Sequence, residues 1–342
     1  QGDGQARGHD GVVASAEKCT PPASVRAGGG GRALVDAGMG QQRRDRHMQR
    51  RGFMALVAAL ALAACASAPD APTFSSDRIS VVARGAGQEV IFIPGLSSSR
   101  DVWNTTADAL GPGYRVHLVQ LNGFAGAPVG GAGEGPVAAP AAEEIARYIR
   151  ETGLERPAVI GHSMGGTIGM MLAARHPDAV GKLMVVDMFP FMGAMFGGPN
   201  ATREQLTPVA DQIRTAMLAA PQGVVSPQTE AMIASMVRTE SARAQIIEHS
   251  RVSDNTVSAN AFHELVVTDL RPELANIDVP FTALFVIPPA APVTPEQYEM
   301  FMRASYANIP QARIVKIEDS YHFIMIDQFE RFMSEVRTFL AE

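Results

Sequence analysis

Cysteine is nearly absent from the 342-residue chain: there are two, Cys19 and Cys65. Two thiols cannot build a disulfide scaffold or a four-thiolate metal centre. A basic excess is missing too. The chain carries 29 Lys and Arg against 35 Asp and Glu, a formal net charge of −6, which argues against a nucleic-acid partner. Charged residues make up only 19% and hydrophobic ones 46%, so wholesale disorder is excluded and a real core is expected. The mean hydropathy of +0.03 leaves room for one or two membrane segments at most. There is no internal repeat, no His/Cys/Asp cluster at metal-ligand spacing and no phosphate-cradling loop ahead of a helix. Neither a metal nor a cofactor is expected.

What is present begins with a leader. Residues 1–47 are rich in Gly, Ala, Arg and Gln and show no sustained apolar period. Such a segment buries too little surface to offset its backbone entropy, so it reads as disordered or as a non-native upstream extension. From Met48 the pattern changes. Arg50 and Arg51 precede an apolar run over residues 53–64, too short to span a bilayer comfortably, and the run ends in Leu62-Ala63-Ala64-Cys65. This order resembles a bacterial lipoprotein signal, and Arg50-Arg51-Gly52-Phe53-Met54 resembles a twin-arginine export signal. The resemblance implies a natural start at Met48, a signal peptide over 48–64, lipidation of Cys65, and an exported chain held in the periplasm or cell envelope. Residues 65–77 then read as a flexible tether. The leader is net basic, so the remainder is more acidic than the whole.

From Arg78 onward, strand-like and helix-like segments alternate. Strands are predicted at Ile79–Arg84, Glu89–Ile93, Tyr114–Leu121, Ala158–Gly161, Lys182–Asp187, Phe281–Ile287 and Arg313–Glu318. Helices are predicted at Asp101–Leu110, Ala138–Thr152, Gly165–Arg175, Pro295–Ala307 and Gln328–Leu340. Repeated β-α-β order implies an α/β fold with a mostly parallel sheet and helices on both faces. Residues 188–277 break the alternation. They are helical in pattern and contain Met188, Met192, Met195, Met217, Met232 and Met236. Methionine suits irregular packing, but a helical lid fits better, since this stretch follows a strand at the carboxyl edge where open α/β sheets bind ligands.

The strongest chemical signal is Gly161-His162-Ser163-Met164-Gly165, a G-x-S-x-G motif with a strand before it and a helix after it. A strand-to-helix turn this sharp strains the serine backbone, needs glycines two residues to either side, and exposes the hydroxyl at a helix N-terminus. With this motif in this context, residues 78–342 resemble an α/β-hydrolase-fold serine hydrolase, esterase-like in character. The resemblance implies the order nucleophile, acid, histidine. Ser163 would be the nucleophile. Of the downstream histidines, His176 reads as a solvated cap, and His249 and His263 fall in the lid. His322 lies directly after the last strand, where the general base belongs. The strand Phe281–Ile287 runs into Pro288 and Pro289 with no carboxylate until Glu296, a departure from the common pattern. Asp187, at the end of the earlier strand, is the preferred acid, with Glu296, Asp319 and Glu318 as alternatives. The oxyanion donors would be the N–H groups of Met164 and Leu96, with a hydroxyl of Ser97 or Ser98 in reach. His162 fills the variable position of the turn and is grouped with Ser97, Met188, Phe189 and Met192 as lining the substrate pocket. Phe191, Met195 and Phe196 are further apolar neighbours there. Asn122–Gly126 reads as a structural turn. A small-molecule ester of an apolar or aromatic acid is the expected substrate. Amide, lactone or carbon–carbon bond hydrolysis, acyl transfer, and a non-catalytic ligand-binding protein stay open. The oligomeric state is not legible.

Overall fold

The computed structural model describes residues 74–289 and 291–342. The leader, the signal-like run and Cys65 lie outside the described residues. In chain order the elements are β1 (Ile79–Gly85), β2 (Gln88–Ile93), α1 (Asn104–Leu110), β3 (Tyr114–Leu121), α2 (Ala138–Thr152), β4 (Ala158–His162), α3 (Met164–Arg175), β5 (Lys182–Val186), α4 (Ala194–Gly197), α5 (Arg203–Ala219), α6 (Pro227–Met236), α7 (Glu240–Arg251), α8 (Asn255–Val267), β6 (Phe281–Phe285), α9 (Pro295–Ser305), β7 (Arg313–Lys316), α10 (Ile324–Asp327) and α11 (Phe329–Ala341). One seven-stranded sheet has the order β1-β3-β2-β4-β5-β6-β7. β1 runs antiparallel to β3, and every other pair is parallel.

The central strands are short and apolar throughout because both of their faces are covered. The two-residue period divides them cleanly. Ile91, Ile93, Val159, Leu183, Val185, Phe281 and Ala283 join the core beneath α2 and α3. Val90, Phe92, Ile160, Met184, Val186 and Leu284 join the opposite core with Trp103 and with Phe332 and Phe339 of α11. The predicted helix over Asp101–Leu110 is split: a 3₁₀ turn covers Arg100–Trp103 before α1 begins. The Ser99 hydroxyl accepts from the Asp101 N–H and caps that tighter first turn. Strands β5, β6 and β7 end one or two residues before their predicted limits. Asp187 falls just outside β5, with φ at 53°.

The end of the predicted tether is not loose. Phe74 packs edge-on against Tyr148 at 5.0 Å, beneath the Arg147 guanidinium at 4.5 Å. The Asp77 carbonyl accepts from Gly131 N–H and from Asn122 Nδ2. An aromatic ring and a paired carbonyl fix residues 74–77 where composition alone suggests flexibility. The turn after β3 is structural as expected: the Gly123 carbonyl accepts from Asp254 N–H at 2.7 Å.

Helices α4–α8 fill the segment between β5 and β6. Their methionines do not form one buried stripe. Met188 is buried, Met192, Met217 and Met236 are half-buried, and Met195 and Met232 are exposed. α8 is the firmly seated member. Its Glu264, buried among apolar neighbours, accepts from the N–H groups of Val137, Ala138 and Ala139 at 2.6, 2.6 and 2.9 Å. These groups sit at the start of α2, where backbone donors lack intrahelical partners and a negative charge is favourable. Glu264→Ala should therefore cost about 3 kcal/mol in urea unfolding, because it strands buried donors of a charge-assisted cap. A loss under about 0.5 kcal/mol would show that water replaces the carboxylate there.

Candidate active site

The site forms at the carboxyl ends of β2, β4 and β5. β4 enters a turn at Ser163, whose φ of 52° and ψ of −121° lie outside the ordinary regions for an L-residue. Such a conformation costs about 1–3 kcal/mol and persists only where its surroundings enforce it. Here the enforcement is steric. A Cβ at Gly161 would stand 2.1 Å from the Gly165 carbonyl oxygen, and one at Gly165 would stand 2.2 Å from that of Ile93. Only glycine lets the chain fold back this tightly. Ser163 N–H donates to the Val186 carbonyl at 2.9 Å, which ties the turn to the end of β5. The result is an isolated opening. From Pro157 to Ala174 every residue is buried except Ser163.

Asp187 follows Val186 directly. Its N–H donates to Leu284 carbonyl at 2.8 Å, and one carboxylate oxygen accepts from Val286 N–H at 3.1 Å. The other accepts from His322 Nδ1 at 2.6 Å. The carboxylate is thereby fixed on one side and spent on the imidazole on the other. With Nδ1 donating, Nε2 of His322 is left as an acceptor. His322 stands in the loop after β7, with its side chain 23% exposed. Ser163 Oγ makes no hydrogen bond to His322 among the described residues. Sites of this kind often close that bond only when substrate is bound.

The alternative acids are engaged elsewhere. Asp319 pairs with Arg238 at 2.8 Å, Glu318 pairs with Lys316 at 2.8 Å, and Glu296 lies in the first turn of α9. The other histidines downstream of Ser163 are also engaged. His176 meets Glu143, His263 meets Asp211, and His249 is buried with Nδ1 3.5 Å from Ser99 N–H.

The loop after β2 brings Gly95 against the serine: a Cβ there would lie 3.1 Å from Ser163 Cβ and 3.1 Å from His162 Nδ1. Leu96 follows, half-buried, and Met164 opens α3 with an N–H that has no intrahelical partner. Ser97 has φ at 55° and its hydroxyl bonds Ser258 of α8 at 3.0 Å, while the Ser98 hydroxyl turns back to Leu96 carbonyl. Gly95→Ala should slow turnover by about tenfold or more, since the added methyl must push either the serine or the donor loop by a few tenths of an ångström. Steady-state kinetics at unchanged thermal stability would check this.

Three pocket expectations need correction. His162 is 1% exposed and lines no open pocket; its ring packs among Trp103, Phe323 and His322. Met188 is buried and its carbonyl accepts from the Tyr306 hydroxyl at 2.5 Å, so it belongs to the core. Phe189 is also buried, against Phe301 and Tyr298. Met188 and Phe189 turn into the core directly after Asp187, Met188 lying against Gly166 of α3. Phe191 is buried beneath the Arg271 guanidinium, and Met195 and Phe196 are exposed. Sequence reasoning missed Glu264 and Asp327. The latter's carboxylate accepts from the N–H groups of Arg238, Thr239 and Tyr321 and holds the His322 loop against the end of α6. Among the described residues no group of three or more His, Cys, Asp or Glu is placed to hold a metal ion.

Comparison with known proteins agrees with this architecture. A family model described as alpha/beta hydrolase fold matches residues 89–329. A pimeloyl–acyl-carrier-protein methyl ester esterase of Vibrio cholerae is 28% identical over 207 residues, covering 59% of this chain and 76% of that relative. The protein of the same name from Aeromonas hydrophila is 26% identical over 277 residues, covering 77% of this chain and 99% of that one. Among solved structures, a hydrolase from Pseudomonas aeruginosa superposes with a TM-score of 0.63 at 20% identity, covering 77% of this chain and 94% of that one. The enol-lactonase of Burkholderia xenovorans gives a TM-score of 0.61 at 20% identity, covering 77% of this chain and 96% of that one. At that identity the likeness is one of fold. With the match spanning the sheet from β2 to the start of α11, the chain belongs to the alpha/beta hydrolase fold family.

Proposed function

We propose that this ester hydrolase cleaves carboxylic esters of apolar or aromatic acids through an acyl-enzyme on Ser163. The observation that carries the reading is that Ser163 is the one residue of 157–174 that is not buried, together with a His322–Asp187 pair at 2.6 Å at the neighbouring strand ends. In this reading Nε2 of His322 takes the hydroxyl proton as Ser163 attacks the ester carbonyl. The amides of Leu96 and Met164 hold the oxyanion, and the helix start at Met164 adds its favourable dipole. His322 then returns the proton to the leaving alcohol, and Asp187 stabilises the imidazolium between the two transfers. Water, activated by the same histidine, releases the acid. The methyl ester esterases named above support the ester over other acyl bonds. The half-buried Met192 and the exposed Met195 and Phe196, which follow Asp187 in the chain, are the candidates for an adaptable apolar acyl surface. A fluorophosphonate probe should label Ser163, and a panel of p-nitrophenyl esters should show rates rising from acetyl to longer or aromatic acyl groups. No labelling would overturn the reading. A product that forms only with added alcohol acceptor would make the chain an acyltransferase.

The reading includes export and a lipid anchor. Its support is Arg50 and Arg51, the apolar run over 53–64 and the Leu62-Ala63-Ala64-Cys65 sequence. Metabolic labelling with a palmitate analogue in a bacterial host should mark the protein and lose the mark in Cys65→Ser. Unlabelled protein would remove the anchor without touching the chemistry.

A further inference from the structure

We propose that His162 is a positioning residue, which holds the backbone of the general base through a hydrogen bond to the His322 carbonyl. Its Nε2 lies 3.0 Å from that oxygen. A carbonyl only accepts, so Nε2 carries the proton and Nδ1 is bare. Nδ1 is buried and meets no hydrogen-bond partner. It looks onto Gly95, where a Cβ would stand 3.1 Å away. Three rings also lie around it: Phe323 at 4.7 Å, Trp103 at 6.5 Å and the His322 imidazole at 4.5 Å, centroid to centroid. An apolar side chain would fill this space without the cost of a buried unpaired nitrogen. The one thing such a side chain lacks is a donor for the His322 carbonyl.

The geometry gives that donor a purpose. His162 and Ser163 are consecutive, so the bond links the backbone that carries the nucleophile to the backbone that carries the base. Asp187 grips His322 by its side chain, and His162 grips it by its main chain. A base held at two points keeps Nε2 in reach of the serine through both proton transfers, where misplacement by an ångström costs about a hundredfold. Burial, with His322 adding to it, drives the His162 pKa well below the ordinary histidine value. The ring therefore stays neutral and places no second positive charge beside the imidazolium that forms on His322.

The proposal rests on the Ser163–His322 reading, and its test separates the two. Wild-type enzyme is first treated with a fluorophosphonate: failure to label Ser163 removes that reading and this one with it. Given labelling, His162→Phe, which keeps the packing and loses the donor, should lower kcat by about 10- to 100-fold with KM within twofold. His162→Gln, which restores a donor of similar reach, should recover most of the loss. Equal kcat in wild type and the Phe variant, or equal impairment of the Phe and Gln variants, would overturn the positioning role. Nitrogen-15 NMR of the wild-type imidazoles gives a measurement that does not depend on a variant folding. His162 should show the neutral, Nε2-protonated form at pH 6–8, and a proton on Nδ1 instead would overturn the bond.

Discussion

Ser163→Ala should abolish ester hydrolysis, lowering kcat by about 10⁶-fold, the scale on which serine hydrolases lose activity when the nucleophile goes. The fold should be untouched. Ser163 Oγ enters no hydrogen bond among the described residues, and alanine occupies no more space. Its backbone is set by Gly161, Gly165 and the bond to Val186, none of which the substitution alters. The measurement is turnover of a p-nitrophenyl ester, with thermal unfolding as the control. Residual activity above about one part in a hundred, with purified protein, would show that the hydroxyl is not the attacking group.

Asp187→Asn should lower kcat by about 10⁴-fold, and the reason is a tautomer. The carboxylate now accepts on both oxygens, from Val286 N–H and from His322 Nδ1. Asparagine has one acceptor and one donor. If its oxygen keeps the Val286 bond, its NH₂ faces Nδ1. The imidazole must then carry its proton on Nε2, toward the serine, where it cannot act as a base. Folding stability should change by little, because both contacts are still made. Near-normal turnover would reassign the acid, although Asp319 and Glu318 are already paired with Arg238 and Lys316.

The parts of this molecule that a sequence shows are those with local rules. The unbroken apolar run Val90-Ile91-Phe92-Ile93 is enough to say that β2 is covered on both faces. The G-x-S-x-G spacing encodes its own turn, because the glycines are a steric condition of it. Asp187 was readable as the polar end of an apolar strand. What was not readable depends on residues far apart in the chain. Glu264 looks like any polar position on a helix until it meets the start of α2, more than a hundred residues earlier in the chain. His162 is polar by type, and periodicity gave no warning that Trp103 and Phe323 would enclose it. Phe74 sits in a stretch of Ala, Pro and Ser, and its ring finds Tyr148 only in the folded protein.

The seating of α8 has a consequence for anyone exchanging helical segments among members of this family to change substrate preference. The stretch between β5 and β6 invites replacement as one cassette. Yet α8 carries the carboxylate that caps α2 and the hydroxyl of Ser258 that meets Ser97 beside the serine. A graft that runs through Val267 swaps part of the scaffold along with the specificity. A splice placed at Asp254, before α8 begins, keeps Glu264 and Ser258 with the host, and the grafted α5 must then supply the apolar face that Leu206 and Ala210 present to Val266 and Val267.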